Sequence, residues 1–117
     1  MSLAAFIEKA KQQHPISFND TIAVISEHYD YQPTEFSNGI GDHALTSPAG
    51  TNEGSCKIFA FAKLHQLDQA QTLNLFGDFY HQDVLNDPNG SGHQNIRNFM
   101  RDGWDGIAFS DTALTLK

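Results

Sequence analysis

The chain has 117 residues, 39% of them hydrophobic, 11% aromatic and 18% charged, and its 14 acidic against 7 basic side chains leave a net charge of -7. A chain of this length forms one domain, here spanning 1–117, and buries roughly two-thirds of its unfolded surface. So aromatic and weakly charged a composition excludes disorder. The acidic surface makes nucleic acid and anionic membrane unfavourable partners.

Leu3, Phe6, Ile7 and Ala10 recur at the spacing of an amphipathic helix, which His14-Pro15 ends. This N-terminus lacks the basic start and long apolar run of a secretory signal. No stretch approaches the roughly 20 apolar residues that span a bilayer. The one cysteine cannot close an internal disulfide, which fits a reducing compartment. A soluble cytoplasmic protein is expected. Ser17 reads as the N-cap of a second helix, with Asp20 in a variant of the capping box. Phe18, Ile22, Ile25 and Tyr29 line its buried face.

A short edge strand is expected near 30–37, where Tyr29, Tyr31 and Pro33 alternate. Asn38-Gly39, Gly41, Pro48 and Gly50 then predict a long irregular loop over 38–50. A third helix over about 56–66 is apolar almost all round through Ile58, Phe59, Phe61, Ala62 and Leu64, and is the expected buried centre. Asp68, with Gln71 as its capping-box partner, opens a fourth helix with Leu73, Phe76, Tyr80 and Val84 inward, helped by Leu75 and Phe79. Gly77 inside it points to a close crossing. Asp87-Pro88-Asn89-Gly90 is a turn. A fifth helix, about 93–102, carries Ile96, Phe99 and Met100 and stops at Gly103. Alternation near 106–116 predicts a C-terminal hairpin or strand pair. The fold class is α+β, mainly α, with about five helices around the central one.

The ordered string Gly54-Ser55-Cys56-Lys57-Ile58-Phe59-Ala60-Phe61-Ala62, Thr72-Leu73, Phe76-Gly77-Asp78-Phe79-Tyr80, His93-Gln94-Asn95-Ile96-Arg97-Asn98-Phe99-Met100 and Gly103-Trp104 resembles the HopJ family. These are small bacterial proteins named after a type III secretion effector of a plant pathogen. The likeness includes Ser17-Phe18 and the stretch from Tyr31 to Gly39. The resemblance supplies no catalytic residues to carry over. For a true effector it implies secretion into a host cell.

Cys56 stands where a polar loop enters an apolar helix. A thiol at a helix start can be activated as a nucleophile, with His93 as base and Asn95 as orienter, as in cysteine hydrolases and acyltransferases. Against this, free cysteine is among the most buried residue types, and no cysteine-protease signature surrounds it. The same turn can bind an anion: Gly54 and Ser55 allow close backbone approach, Lys57 and Arg97 can neutralise charge, and Asn52 completes the candidate ligand-binding set. Glycine and serine there also serve as ordinary caps. Asp78, His81 and Asp83 do not make a zinc set, since Asp83 leaves the shared face. No phosphate-loop, HExxH or GxSxG motif occurs, and no cofactor or metal is implied. Trp104 reads as a core aromatic joining the last helix to the tail rather than as a partner's anchor.

The expected function is that of a small binding or regulatory protein without catalysis. Its ligand, a small anion or a protein partner, would occupy a cleft among residues 52–56, the His93–Arg97 helix start and the 38–50 loop. The alternative is an enzyme using Cys56. Oligomeric state is left open.

Overall fold

Six of the nine phenylalanines are buried, and one helix carries the ring that touches three of the others. In the computed structural model, which describes residues 2–117, that helix is α3 (Glu53–Leu64). Ile58, Phe59, Phe61 and Ala62 along it are wholly buried. Phe59 touches Phe36, Phe76, Phe99 and Trp104 at centroid distances of 4.9–6.5 Å, and Phe61 meets Phe6 and Tyr29 edge-on at 5.8 Å. Offset and edge-to-face contacts of this kind add stability beyond the area they bury. Leu64 departs from the expected pattern: at the last turn it faces solvent, 53% exposed.

Around α3 stand α1 (Leu3–Lys11), α2 (Phe18–His28), the short α4 (Gln69–Asn74) and α5 (Gln94–Asp102). The expected caps are in place. Ser17 Oγ accepts from the Asp20 amide at 3.1 Å, and Asp68 and Gln71 form both halves of a capping box. The fourth helix is shorter than its apolar pattern suggested. Gly77 takes φ +60° and breaks it, and the chain resumes as a π-helical stretch, Phe79–Val84. A Cβ at Gly77 would lie 2.7 Å from the Phe18 nitrogen and 3.0 Å from the Ile16 carbonyl. The close approach foreseen at this glycine is therefore real, but it is made to the entry of α2.

The β structure consists of two small antiparallel sheets built from three-residue strands. β1 (Tyr29–Tyr31) pairs with β5 (Leu114–Leu116), while β2 (Phe36–Asn38) lies between β3 (Leu45–Ser47) and β4 (Ile107–Phe109). The two C-terminal strands were expected as a hairpin or strand pair; each joins a different sheet, so no hairpin forms between them. The expected strand near 30–37 becomes β1 and β2, separated at Pro33, which has no amide hydrogen to give a ladder. The 38–50 segment, expected as irregular, contains β3 and a short 3-10 turn, Gly41–His43. Trp104 donates its indole N–H to the Leu67 carbonyl at 3.0 Å and packs edge-on against Phe99, tying the tail to the core. No helix among the described residues is long and apolar enough to cross a membrane.

Candidate functional site

An α-helix begins with amide hydrogens that have no partner within the helix. Three helices here solve this with a side chain: Ser2 for α1, Ser17 for α2 and Asp68 for α4. The other two do not. The residue before α3, Asn52, has φ 49° and ψ 44°; the residue before α5, His93, has φ 55° and ψ 51°. Capping requires an extended backbone at that position, so a left-handed residue cannot close over the helix it starts. Asparagine and histidine are among the few non-glycine residues that tolerate this region. Their side chains are used elsewhere. Asn52 Nδ2 donates to Ser47 Oγ at 2.9 Å, and His93 Nε2 bonds Asp83 Oδ2 at 3.1 Å. The amides of Gly54, Ser55, Asn95 and Ile96 consequently make no hydrogen bond within the described residues.

Both uncapped starts open onto one cleft of about 370 Å³. Gly54 and Ser55 form one side of it and Gln94, Asn95 and Ile96 the other, while Phe18, Phe76 and Phe79 supply an aromatic wall. Phe18 and Phe79 meet edge-on at 4.9 Å, and Phe79 in turn packs on the His93 ring at 5.1 Å. Gly54 makes room for this wall: a Cβ there would come within 2.8 Å of the Phe18 ring. None of the 14 Asp and Glu residues lines the cleft.

Behind α5 lies a network of three buried asparagines. Asn38 Nδ2 donates to the Asn95 carbonyl at 2.8 Å and to Asn95 Oδ1 at 3.0 Å. Asn98 Nδ2 donates to the carbonyls of Asn38 and His43, both at 3.0 Å. Backbone carbonyls can only accept, so they fix which way each carboxamide is turned. Asn95 must point its oxygen inward, and its Nδ2 is left without a protein partner although the residue is only 6% exposed.

Of the residues singled out from the sequence, Asn52, Gly54, Ser55, His93 and Asn95 meet at this cleft, whereas Cys56, Lys57 and Arg97 do not. Helix α3 starts at Glu53, three residues earlier than expected, which moves Cys56 past the open amides: its own N–H bonds the Asn52 carbonyl at 3.0 Å. The thiol is 1% exposed and donates to the Thr34 carbonyl at 3.6 Å. Burial pushes it above its ordinary pKa, the opposite of activation. His93 is engaged with Asp83, so the structure does not assemble a Cys56–His93–Asn95 triad. Lys57 places its ammonium 4.6 Å from the centre of the Tyr31 ring, and Arg97 donates to the carbonyls of Gly92 and Asp87 at 2.6 and 2.8 Å. The 38–50 loop does not line the cleft either; it stands behind it through Asn38 and Ser47. His81 bonds Asn74 Oδ1 at 2.8 Å while Asp83 holds His93, so Asp78, His81 and Asp83 serve different partners.

Sequence reasoning missed the aromatic wall and the role of Asn38. Phe79 fits the helical core pattern of residues 73–84 and leaves it only because Gly77 resets the register; it is 39% exposed.

The class of protein defined so far is a small, mainly helical α+β domain with one polar-and-aromatic cleft between two helix starts. The chain belongs to the HopJ family: residues 3–114 match the family described as HopJ type III effector protein. It is also similar to a protein of known crystal structure, the unknown function protein VPA0580, with a TM-score of 0.93 and 47% identity over 100% of this chain and 95% of that one. No curated protein matches the chain.

Proposed function

We propose that this HopJ-family protein binds a small anionic ligand in the cleft between the starts of α3 and α5 and performs no chemistry on it. One observation carries the reading: the two helices without caps are the two whose first turns share a cleft. Each start presents roughly half a positive charge and a set of amide hydrogens ready for an acceptor. A left-handed residue followed by helical ones is also the backbone alternation of anion-binding nests. Asn52 and His93 hold that conformation at a cost of order 1 kcal/mol each. The absence of a carboxylate from the lining, in a chain of net charge -7, fits the same purpose. The buried, un-ionised setting of Cys56 supports a binding role over a nucleophilic one.

The test is a titration of the 15N-labelled protein with sodium acetate and with inorganic phosphate at constant ionic strength. Saturable shifts of the Gly54, Ser55, Asn95 and Ile96 amides are expected for at least one of them. Ser55→Glu puts a carboxylate at the third helical position, where it favours the helix and occupies the site, and should weaken binding at least about tenfold. Shifts spread over the surface, or no saturation, would overturn the reading.

A further inference from the structure

The cleft also specifies what kind of anion it takes, an inference that rests on the binding reading above. We propose that its ligand is a monocarboxylate attached to an apolar, preferably aromatic, body. The charge count comes first. No Lys or Arg lines the cleft, because Lys57 is held over Tyr31 and Arg97 is tied to backbone carbonyls. Compensation therefore comes from two helix starts worth at most about half a unit each. Glu53, at the first position of α3, stays outside the lining, and the lining His93 is paired to Asp83, so the cleft suits one negative charge better than a phosphate dianion.

The second observation is independent of the helix starts. Asn95 is 6% exposed, and the Asn38 bond to its Oδ1 turns Nδ2 outward with no protein partner. The residue is nearly buried, and its Nδ2 has no protein partner where Asn95 lines the cleft, so it is a fixed donor for an acceptor bound there. Asn38 maintains this orientation although its own Oδ1 is buried and unpaired. A carboxylate offers two oxygens in one plane. In the proposed complex one oxygen accepts from the Gly54–Ser55 amides of α3, and the other from the α5 amides and Asn95 Nδ2.

The third observation concerns the rest of the molecule. Phe79 and Phe18 wall the cleft, with Phe79 39% exposed, so apolar surface lies beside the polar floor. A volume of about 370 Å³ is at the small end of ligand pockets and suits a body of one ring or one side chain. A free organic acid and the C-terminal residue of a peptide share this chemistry.

The decisive experiment compares 3-phenylpropionate, its uncharged amide, acetate, inorganic phosphate, and a short peptide ending in phenylalanine with a free or an amidated C-terminus. Binding is read from the Gly54, Ser55 and Ile96 amides and the Asn95 side-chain NH2. 3-Phenylpropionate should bind more tightly than acetate, and its amide at least about tenfold more weakly than the acid. Whichever of the free acid and the free-C-terminus peptide binds better identifies the source. Asn95→Asp keeps the acceptor for Asn38 but turns an anionic oxygen into the cleft, and should cost at least about tenfold in affinity with folding retained. Phe79→Ala should weaken 3-phenylpropionate while leaving acetate unchanged. Phosphate binding at these amides without 3-phenylpropionate binding would sink the carboxylate inference and leave the anion site standing. Equal binding of acid and amide, or wild-type binding by Asn95→Asp, would also sink it. If no probe binds, both readings fall.

Discussion

Cys56 shows how a shift of three residues decides what a side chain can do. Were α3 to begin at the cysteine, the thiol would sit among unpaired amides that stabilise a thiolate. Because Asn52 adopts a left-handed conformation and the helix begins at Glu53, Cys56 lies one turn in, packed in the core and bonded to Thr34. Its raised pKa and 1% exposure predict slow modification. An aromatic disulfide reagent at pH 7.5 should label the folded protein at least about 100-fold more slowly than the same protein in urea, since only the exposed thiolate reacts. Equal rates in the two states would place the thiol at the surface and reopen the case for nucleophilic chemistry.

Helices and strands in this protein were legible to different degrees, for physical reasons. α1, α2 and α5 announce themselves because a helix writes its buried face at three- and four-residue spacing, and Ser17 and Asp68 mark the starts of α2 and α4 by bonds to residues three positions on. Strands of three residues carry almost no period, and β2 finds its partners at residues 45–47 and 107–109, so nothing local encodes the second sheet. The break at Gly77 lies between these extremes. A glycine in an apolar helical pattern signals a close approach, but not that φ turns positive and the helix ends. Substitution separates the two effects. Gly77→Ala meets backbone at 2.7 Å and must hold φ +60°, so urea unfolding should show a loss of at least about 1 kcal/mol. Gly54→Ala meets only the edge of the Phe18 ring, which can turn aside, and should stay within about 1 kcal/mol of the parent while distorting the cleft wall. Equal losses at the two positions would mean that the approach of the α2 entry to Gly77 is not a structural constraint.

At the scale of the molecule, the candidate site depends on parts of the chain far apart in sequence. The floor of the cleft comes from two helix starts, its wall from α2 and the 76–79 stretch, and the orientation of Asn95 from a residue in β2. The five residues picked out at the two starts were readable because glycine, serine, histidine and asparagine before an apolar run advertise a helix entry. Asn38 was not readable, because its role exists only once β2 packs against α5. The same long-range logic sets the response to acid. His65, directly after α3, packs on Phe61 at 4.6 Å and shares a hydrogen bond with the Tyr29 hydroxyl at the start of β1, joining the central helix to the first sheet. Burial, reinforced by the positive charge of Lys11, holds its pKa below the 6.5 of an exposed histidine. As pH falls through about 6.5, the unfolded chain takes up a proton that the folded protein refuses, so stability drops on acidification and is fully present only above that range. The urea midpoint should therefore be lower at pH 5.5 than at pH 7.5. His65→Gln keeps a neutral hydrogen-bonding group for Tyr29 but cannot titrate, and its midpoint should fall less over the same interval. A fall as large in the variant as in the parent would assign the acid sensitivity to other groups and remove His65 from the account.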